Sequence, residues 1–125
     1  MVLVDSSVWV SFLQSGGEPK LVQLLDLNEV RMHDMVFGEV AMGNIEQRKN
    51  ALVLLPLLPL MAVASHSEVM KLVDQHQLYG RGVGYVDVHL LTSVVLLPGT
   101  LIWTRDKSLL AAAKQLGVAF ESLAH

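Results

Sequence analysis

Five short apolar runs, separated by segments with a helical repeat, constrain this chain more than any other feature in it. The runs lie at residues 1–4, 30–33, 60–63, 101–103 and 118–120, and apart from Arg31 and His33 they are apolar throughout rather than at every second position. Between them, residues 19–27, 36–47, 67–77, 85–97 and 107–116 place apolar side chains three and four apart, the spacing of one helix face. A strand that is apolar on both faces must be covered on both faces, and strands that alternate with helices pair in parallel. The expected fold is therefore α/β, in three layers, with a central parallel sheet of four to five strands and helices on both faces. Pro19 suits a first helical turn, Ser67 an N-cap and Gly117 a C-terminal cap.

At 125 residues the chain can bury one ordinary core but not two, so a single domain over 1–125 is expected. Its hydrophobic content of 52% and mean hydropathy of +0.46 exceed what a lone domain of this size needs. Part of the apolar surface is thus expected to meet another subunit or partner. The most apolar stretch, 51–64, carries no charge, but it holds Pro56 and Pro59 and falls short of the ~20 residues needed to span a membrane. No basic leader precedes Asp5, which interrupts the opening apolar run, so a cytoplasmic protein is expected. The absence of cysteine excludes disulfides, thiol nucleophiles and thiolate metal sites. Any metal must be held by oxygen or imidazole.

Asp5 follows the first apolar run directly, and Asp106 follows the fourth at the start of the last long helix. In open parallel sheets, ligands bind at the carboxyl ends of the strands, where both acids would lie. Glu39 and Asp87 fall inside helical patterns, among Val36 and Met42 in one case and Leu90, Leu91 and Val94 in the other. Each interrupts an apolar stripe. Taken singly, Asp5 or Asp106 is more often an N-cap, Glu39 a solvated side chain, and Asp87 a buried acid satisfied by Arg81, His89 or a backbone donor. Together they would repel one another and push their pKa values up unless a cation offsets them. Convergence on a divalent cation is the expectation.

The segment Val4-Asp5-Ser6-Ser7-Val8-Trp9 resembles the start of a PIN-domain nuclease of the VapC toxin type. The resemblance continues through Gly38-Glu39, the run Gly82 to Leu90 that contains Asp87, and Trp103-Thr104-Arg105-Asp106-Lys107. It spans nearly the whole chain in the family's order and spacing. What it implies is a PIN-like three-layer fold and a metal-dependent ribonuclease whose acidic quartet, here Asp5, Glu39, Asp87 and Asp106, binds Mg²⁺ or Mn²⁺. Ser7 and Thr104 match supporting hydroxyl positions. The family commonly carries a further acid two residues after the one at Asp106, where this chain has Ser108, which leaves the number of metals open. The resemblance also implies a homodimer and a small antitoxin that occupies the active-site groove. Candidate walls for an apolar groove are 19–27, 36–47 and 51–58.

The chemistry is coherent without a protein nucleophile, because a hard cation accepts carboxylate oxygens, activates water and leaves room for a phosphate. The net charge of −3 is unusual for a protein that binds RNA. Setting the four proposed ligands aside leaves eight of twelve acids against nine Lys and Arg. Arg81, Arg105 and Lys107, with Lys49, are then candidates for phosphate contacts, Arg81 standing in a glycine-flanked loop where it is as often merely solvated. His33, His66, His76, His89 and His125 show no helical pairing that suits zinc, and His89, two residues from Asp87, would point away from it. Two other classes use an aspartate after a strand. A dehalogenase-like phosphatase would need a second aspartate where Ser7 stands, and a receiver-like phosphoacceptor would need an early acidic pair. A non-toxin PIN nuclease and a non-catalytic binding module on the same fold are the remaining alternatives.

Overall fold

Val2, Leu3 and Val4 are all buried because the strand they form, β1 (Val2–Val4), is the middle of a parallel sheet. The computed structural model describes residues 1–121, so His125 lies outside the described residues. β1 is flanked by β2 (Val30–Arg31) and β3 (Leu101–Trp103) in the order β2-β1-β3, with Leu3 opposite Arg31 and Ile102. The helices are α1 (Ser6–Ser15), α2 (Pro19–Asp26), α3 (Asp34–Ala41), α4 (Arg48–Leu54) with a 3₁₀ turn at Leu55–Leu57, α5 (His66–His76), α6 (Tyr85–Val95) and α7 (Lys107–Gln115). Among the described residues, none of them is long and apolar enough to cross a membrane.

The expected sheet of four to five strands is narrower than that. Residues 60–63 and 118–120 each join it through one parallel bridge, Met32 with Leu60 and Ile102 with Ala119. Met32 N–H donates to Pro59 O and Met32 O accepts from Met61 N–H, both at 2.8 Å, and pairing goes no further along that run. Pro59 has no N–H to extend the ladder, and Leu60 is 59% exposed, so no covered outer layer rewards a longer strand there.

Two helices were absent from the expected set. α1 opens on two serines and carries Val8 and Val10, none of them strong helix formers. Burial of Val8 and Trp9 against the core overrides that preference. α4 reads from sequence as part of an apolar run, and Pro56 tightens its end into the 3₁₀ turn. α3 begins earlier and stops sooner than the 36–47 pattern, since His33 caps its start and Gly43-Asn44 lies just beyond its end. The cap of α5 is Ser65, not Ser67: its hydroxyl accepts from Glu68 N–H at 3.1 Å while the Glu68 carboxylate accepts from Ser65 N–H at 2.8 Å. Only Ser65 has a glutamate three residues on, which is what the reciprocal box requires. Pro19 does open α2, and Gly117 follows α7 with φ +71°.

Leu3, Val4, Leu21, Met32, Leu90, Leu91, Ile102 and Leu109 are among the largest fully buried side chains of the core. Each fully buried Leu or Ile contributes roughly 2 kcal/mol relative to exposure. That core places the carboxyl ends of β1 and β3 side by side, and the chain leaves them at Asp5 and Thr104.

Candidate active site

Asp5 is 3% exposed, directly beyond Val4 in β1, and its N–H still donates to Trp103 O at 2.9 Å. A buried carboxylate needs donors, and two hydroxyls supply them. Ser7 Oγ and Thr104 Oγ1 both donate to Asp5 Oδ2 at 2.8 Å. Each hydroxyl is itself oriented by backbone: Ser7 Oγ accepts from Arg105 N–H and Thr104 Oγ1 from Asp106 N–H, both at 3.0 Å. The collar therefore locks the end of β1 to the turn after β3. Asp106 caps α7, its Oδ1 accepting from Leu109 N–H at 2.9 Å, so the N-cap reading of this residue holds alongside any other role.

Glu39 and Asp87 approach from two helices. Ser6 Oγ lies 3.5 Å from Asp5 Oδ1 and 3.3 Å from Glu39 Oε1, so one hydroxyl spans the two acids. Sequence reasoning passed over Ser6, whose only signal was its place beside Asp5. Burial pushes the Glu39 carboxyl up from its ordinary value, Asp5 adds repulsion, and the Ser6 hydroxyl opposes both. Asp87 is pushed up to about 6, first by burial and then by Asp5, Asp106 and Glu39, with the Gly84 backbone opposing. The other three acids thus all act on Asp87, and Asp5 acts on Glu39 as well. Asp87 interrupts a buried stripe, as Leu90, Leu91 and Val94 show. Glu39 does not: it is itself exposed and Met42 is 88% exposed, because α3 ends at Ala41 and the residues it buries are Val36 and Val40.

The acids are near without being clenched. Among the described residues, no three His, Asp or Glu side chains form a ready-made cation cage. The donor set is one of carboxylate and hydroxyl oxygens, which suits a hard divalent ion that keeps much of its hydration and takes one or two protein ligands. The residues present fit a hard divalent cation in that manner.

No family model matches the chain. Over 119 residues it is 46% identical to Ribonuclease VapC32 of Mycobacterium tuberculosis, in strain CDC 1551 / Oshkosh and equally in strain ATCC 25618 / H37Rv, with 95% of each chain covered. The chain belongs to the VapC ribonuclease family. In fold it is also similar to the crystal structure of FitAcB from Neisseria gonorrhoeae, with a TM-score of 0.57 over 95% of both chains and 18% identity.

Of the four cations expected at the rim of this VapC-family site, Arg81 and Arg105 are engaged elsewhere. The Arg105 guanidinium donates to Ser11 Oγ at 2.7 Å and pairs with Glu18, tying the turn after β3 to α1 and to the start of α2. Arg81 donates to Gln115 at the far end of α7. The loop around it comes close to α7, since a Cβ at Gly82, where φ is +79°, would stand 3.1 Å from Ser108 Oγ. Lys107 is exposed at the start of α7. His89 is buried, its Nδ1 without a hydrogen-bond partner among the described residues, and its ring is edge-on to Tyr85, whose hydroxyl meets His66 Nδ1 at 2.6 Å.

An apolar cavity of about 390 Å³ opens between α1, α2 and α4, lined by Trp9, Phe12, Leu25, Ala51, Leu54 and Leu58. Of the expected walls, 19–27 contributes Leu25, 51–58 contributes Ala51, Leu54, Leu55 and Leu58, and 36–47 contributes only Gln47; α1 adds Trp9, Phe12 and Leu13. The buried Trp9 Nε1 has no hydrogen-bond partner there among the described residues.

Proposed function

We propose that this VapC-family ribonuclease is a Mg²⁺- or Mn²⁺-dependent endoribonuclease whose ion is held by Asp5, Glu39, Asp87 and Asp106, and that it serves as the toxin of a toxin–antitoxin pair. The observation that carries the reading is the state of Asp87, held at about 6 by burial and by the charges of the other three acids. An ordinary structural acid would be paired with a cation; this one is surrounded by carboxylates.

When bound, the ion lowers the pKa of water and neutralises charge that develops on the phosphate. The chain's own residues do the rest. Ser7 and Thr104 fix the rotamer of Asp5, so one carboxylate is pointed before any ligand arrives. Asp106 keeps one oxygen on its helix cap and offers the other to the site. Ionised above about pH 6, Asp87 is a ligand over the neutral range. Lys107, exposed beside Asp106, is the nearest candidate for a phosphate contact. Arg81 and Arg105 would have to release Gln115 and Glu18 to join it.

The partners proposed are RNA, a second copy of the chain in a homodimer, and a cognate antitoxin seated on the apolar cavity beside α1, all within the cytoplasm and away from any membrane. Cleavage of RNA by the purified protein is the direct test. It is expected in Mg²⁺ or Mn²⁺, lost in chelator, restored by added metal, and absent in Asp5→Asn. Activity in chelator, or an active Asp5→Asn protein, would overturn the metal reading. Failure to copurify with the product of any adjacent reading frame would favour an RNA-processing role over a toxin.

A further inference from the structure

Glu39 and Asp87 must hold a set distance to share an ion, yet their helices pack mostly on other partners, α3 on α1 and α4, and α6 on α5, β3 and α7. A direct polar tie between α3 and α6 runs through His33. This side chain is fully buried at the N-cap of α3, where Nδ1 accepts from Met35 N–H at 3.1 Å. Its other nitrogen, Nε2, lies 3.1 Å from Ser93 Oγ on α6, and Ser93 Oγ donates to Ala62 O at 2.9 Å. One assignment satisfies all three contacts: Ser93 gives its proton to Ala62, so Nε2 must carry the ring proton and donate it to Ser93. Burial lowers the His33 pKa, with Asp34 opposing and His89 adding to the effect, in keeping with a neutral ring.

Helix capping explains only half of this. Asn, Asp or Ser would cap α3 as well as histidine does, and none would reach Ser93. The added reach joins two helices, and the join is evenly placed. Glu39 lies six residues after His33 and Asp87 six before Ser93, about 9 Å of helix on either side. A slip of either helix at the tie would move its acid by a similar amount.

We propose that the His33–Ser93 hydrogen bond positions the acidic centre, holding α3 against α6 so that Glu39 and Asp87 keep the separation that binds a divalent ion. This rests on the metal reading given under Proposed function. His33 touches neither substrate nor ion; it is a positioning residue.

The test is Mn²⁺ binding to purified protein without RNA, by titration calorimetry, with thermal midpoints measured in parallel. Ser93→Ala removes the acceptor for Nε2, and His33→Asn keeps an oxygen for Met35 N–H while losing the reach. Each should weaken Mn²⁺ binding roughly 3- to 10-fold, less than the 10- to 100-fold typical of groups bonded directly to a ligand. The double variant should be no weaker than the singles, and Ser93→Thr, which keeps the hydroxyl, should bind as wild type does. Lower thermal midpoints with wild-type Mn²⁺ affinity would overturn the proposal, leaving His33 a cap and core residue only. If His33→Asn does not fold, equal affinities of Ser93→Ala and Ser93→Thr overturn it alone. Asp87→Asn separates the two claims: wild-type affinity in that variant sinks the metal reading itself.

Discussion

The strand-end acids and the helix acids reach one end of the sheet under opposite physical conditions. Asp5 is buried and receives two short hydroxyl bonds, and Asp106 is satisfied by the backbone of the helix it starts. Glu39 has one long contact from Ser6, while Asp87 is held up by burial and by its acidic neighbours. One half of the proposed site is organised by hydrogen bonds; the other half is kept in place against repulsion by the packing of α3 and α6. A bound cation would change the energy of the second half most.

The comparison breaks most directly at Asp5. Asp5→Asn is expected to fold, by circular dichroism, and to lose cleavage on the order of 10³-fold, about 4 kcal/mol of transition-state stabilisation. A folded Asp5→Asn protein with a tenth of wild-type activity would remove the strand-end half from the chemistry. The next effect is in the collar: Thr104→Val should weaken metal binding or activity about 10- to 100-fold and destabilise the fold by ~1–3 kcal/mol, because Asp5 stays buried with one donor fewer. Ser6→Ala, whose contacts are 3.3 and 3.5 Å, should have a much smaller effect.

The helix half is sharpened by pH. Asp87 rises from an ordinary 3.8 to about 6 in the fold, so the folded state holds a proton that the unfolded chain releases. Stability of the metal-free protein should therefore fall as pH rises from about 4 to about 6, by about 1 kcal/mol once solvent screening of a part-exposed group is allowed for. Thermal midpoints in chelator should show the slope, and both Mg²⁺ and Asp87→Asn should flatten it. A midpoint that climbs over the same range would contradict the repulsion. The smallest effect belongs to Arg105→Ala, which breaks a part-exposed pair with Glu18 and should cost less than ~1 kcal/mol. Its KM for RNA should stay within about twofold, whereas Lys107→Ala should raise KM by removing a phosphate contact. A tenfold rise in Arg105→Ala would mean the guanidinium leaves Glu18 for substrate.

Much of this arrangement can be read from local signals, and the misreadings have local causes too. Asp5 and Asp106 are legible because a carboxylate directly after an apolar run falls where strands end. Asp87 is legible from the buried stripe behind it. The corresponding reading of Glu39 used Met42, which lies past the end of α3 in a part of the chain whose periodicity continues although the helix does not. α1 was obscured because serine and valine argue weakly against a helix that tertiary burial enforces. Arg81 and Arg105 looked free because Gln115 and Glu18, which hold them, are 34 and 87 residues away.

From residue order alone come the alternation of strands and helices, the parallel sheet, the oxygen-only donor set and the family resemblance, since each depends on neighbours within a turn or two of chain. Tertiary structure alone decided the width of the sheet, the collar that joins Asp5 to Thr104 across 99 residues, and the tie from His33 to Ser93. Those contacts depend on how the covered faces stack, and no short-range pattern records which distant hydroxyl will meet a buried acid or ring.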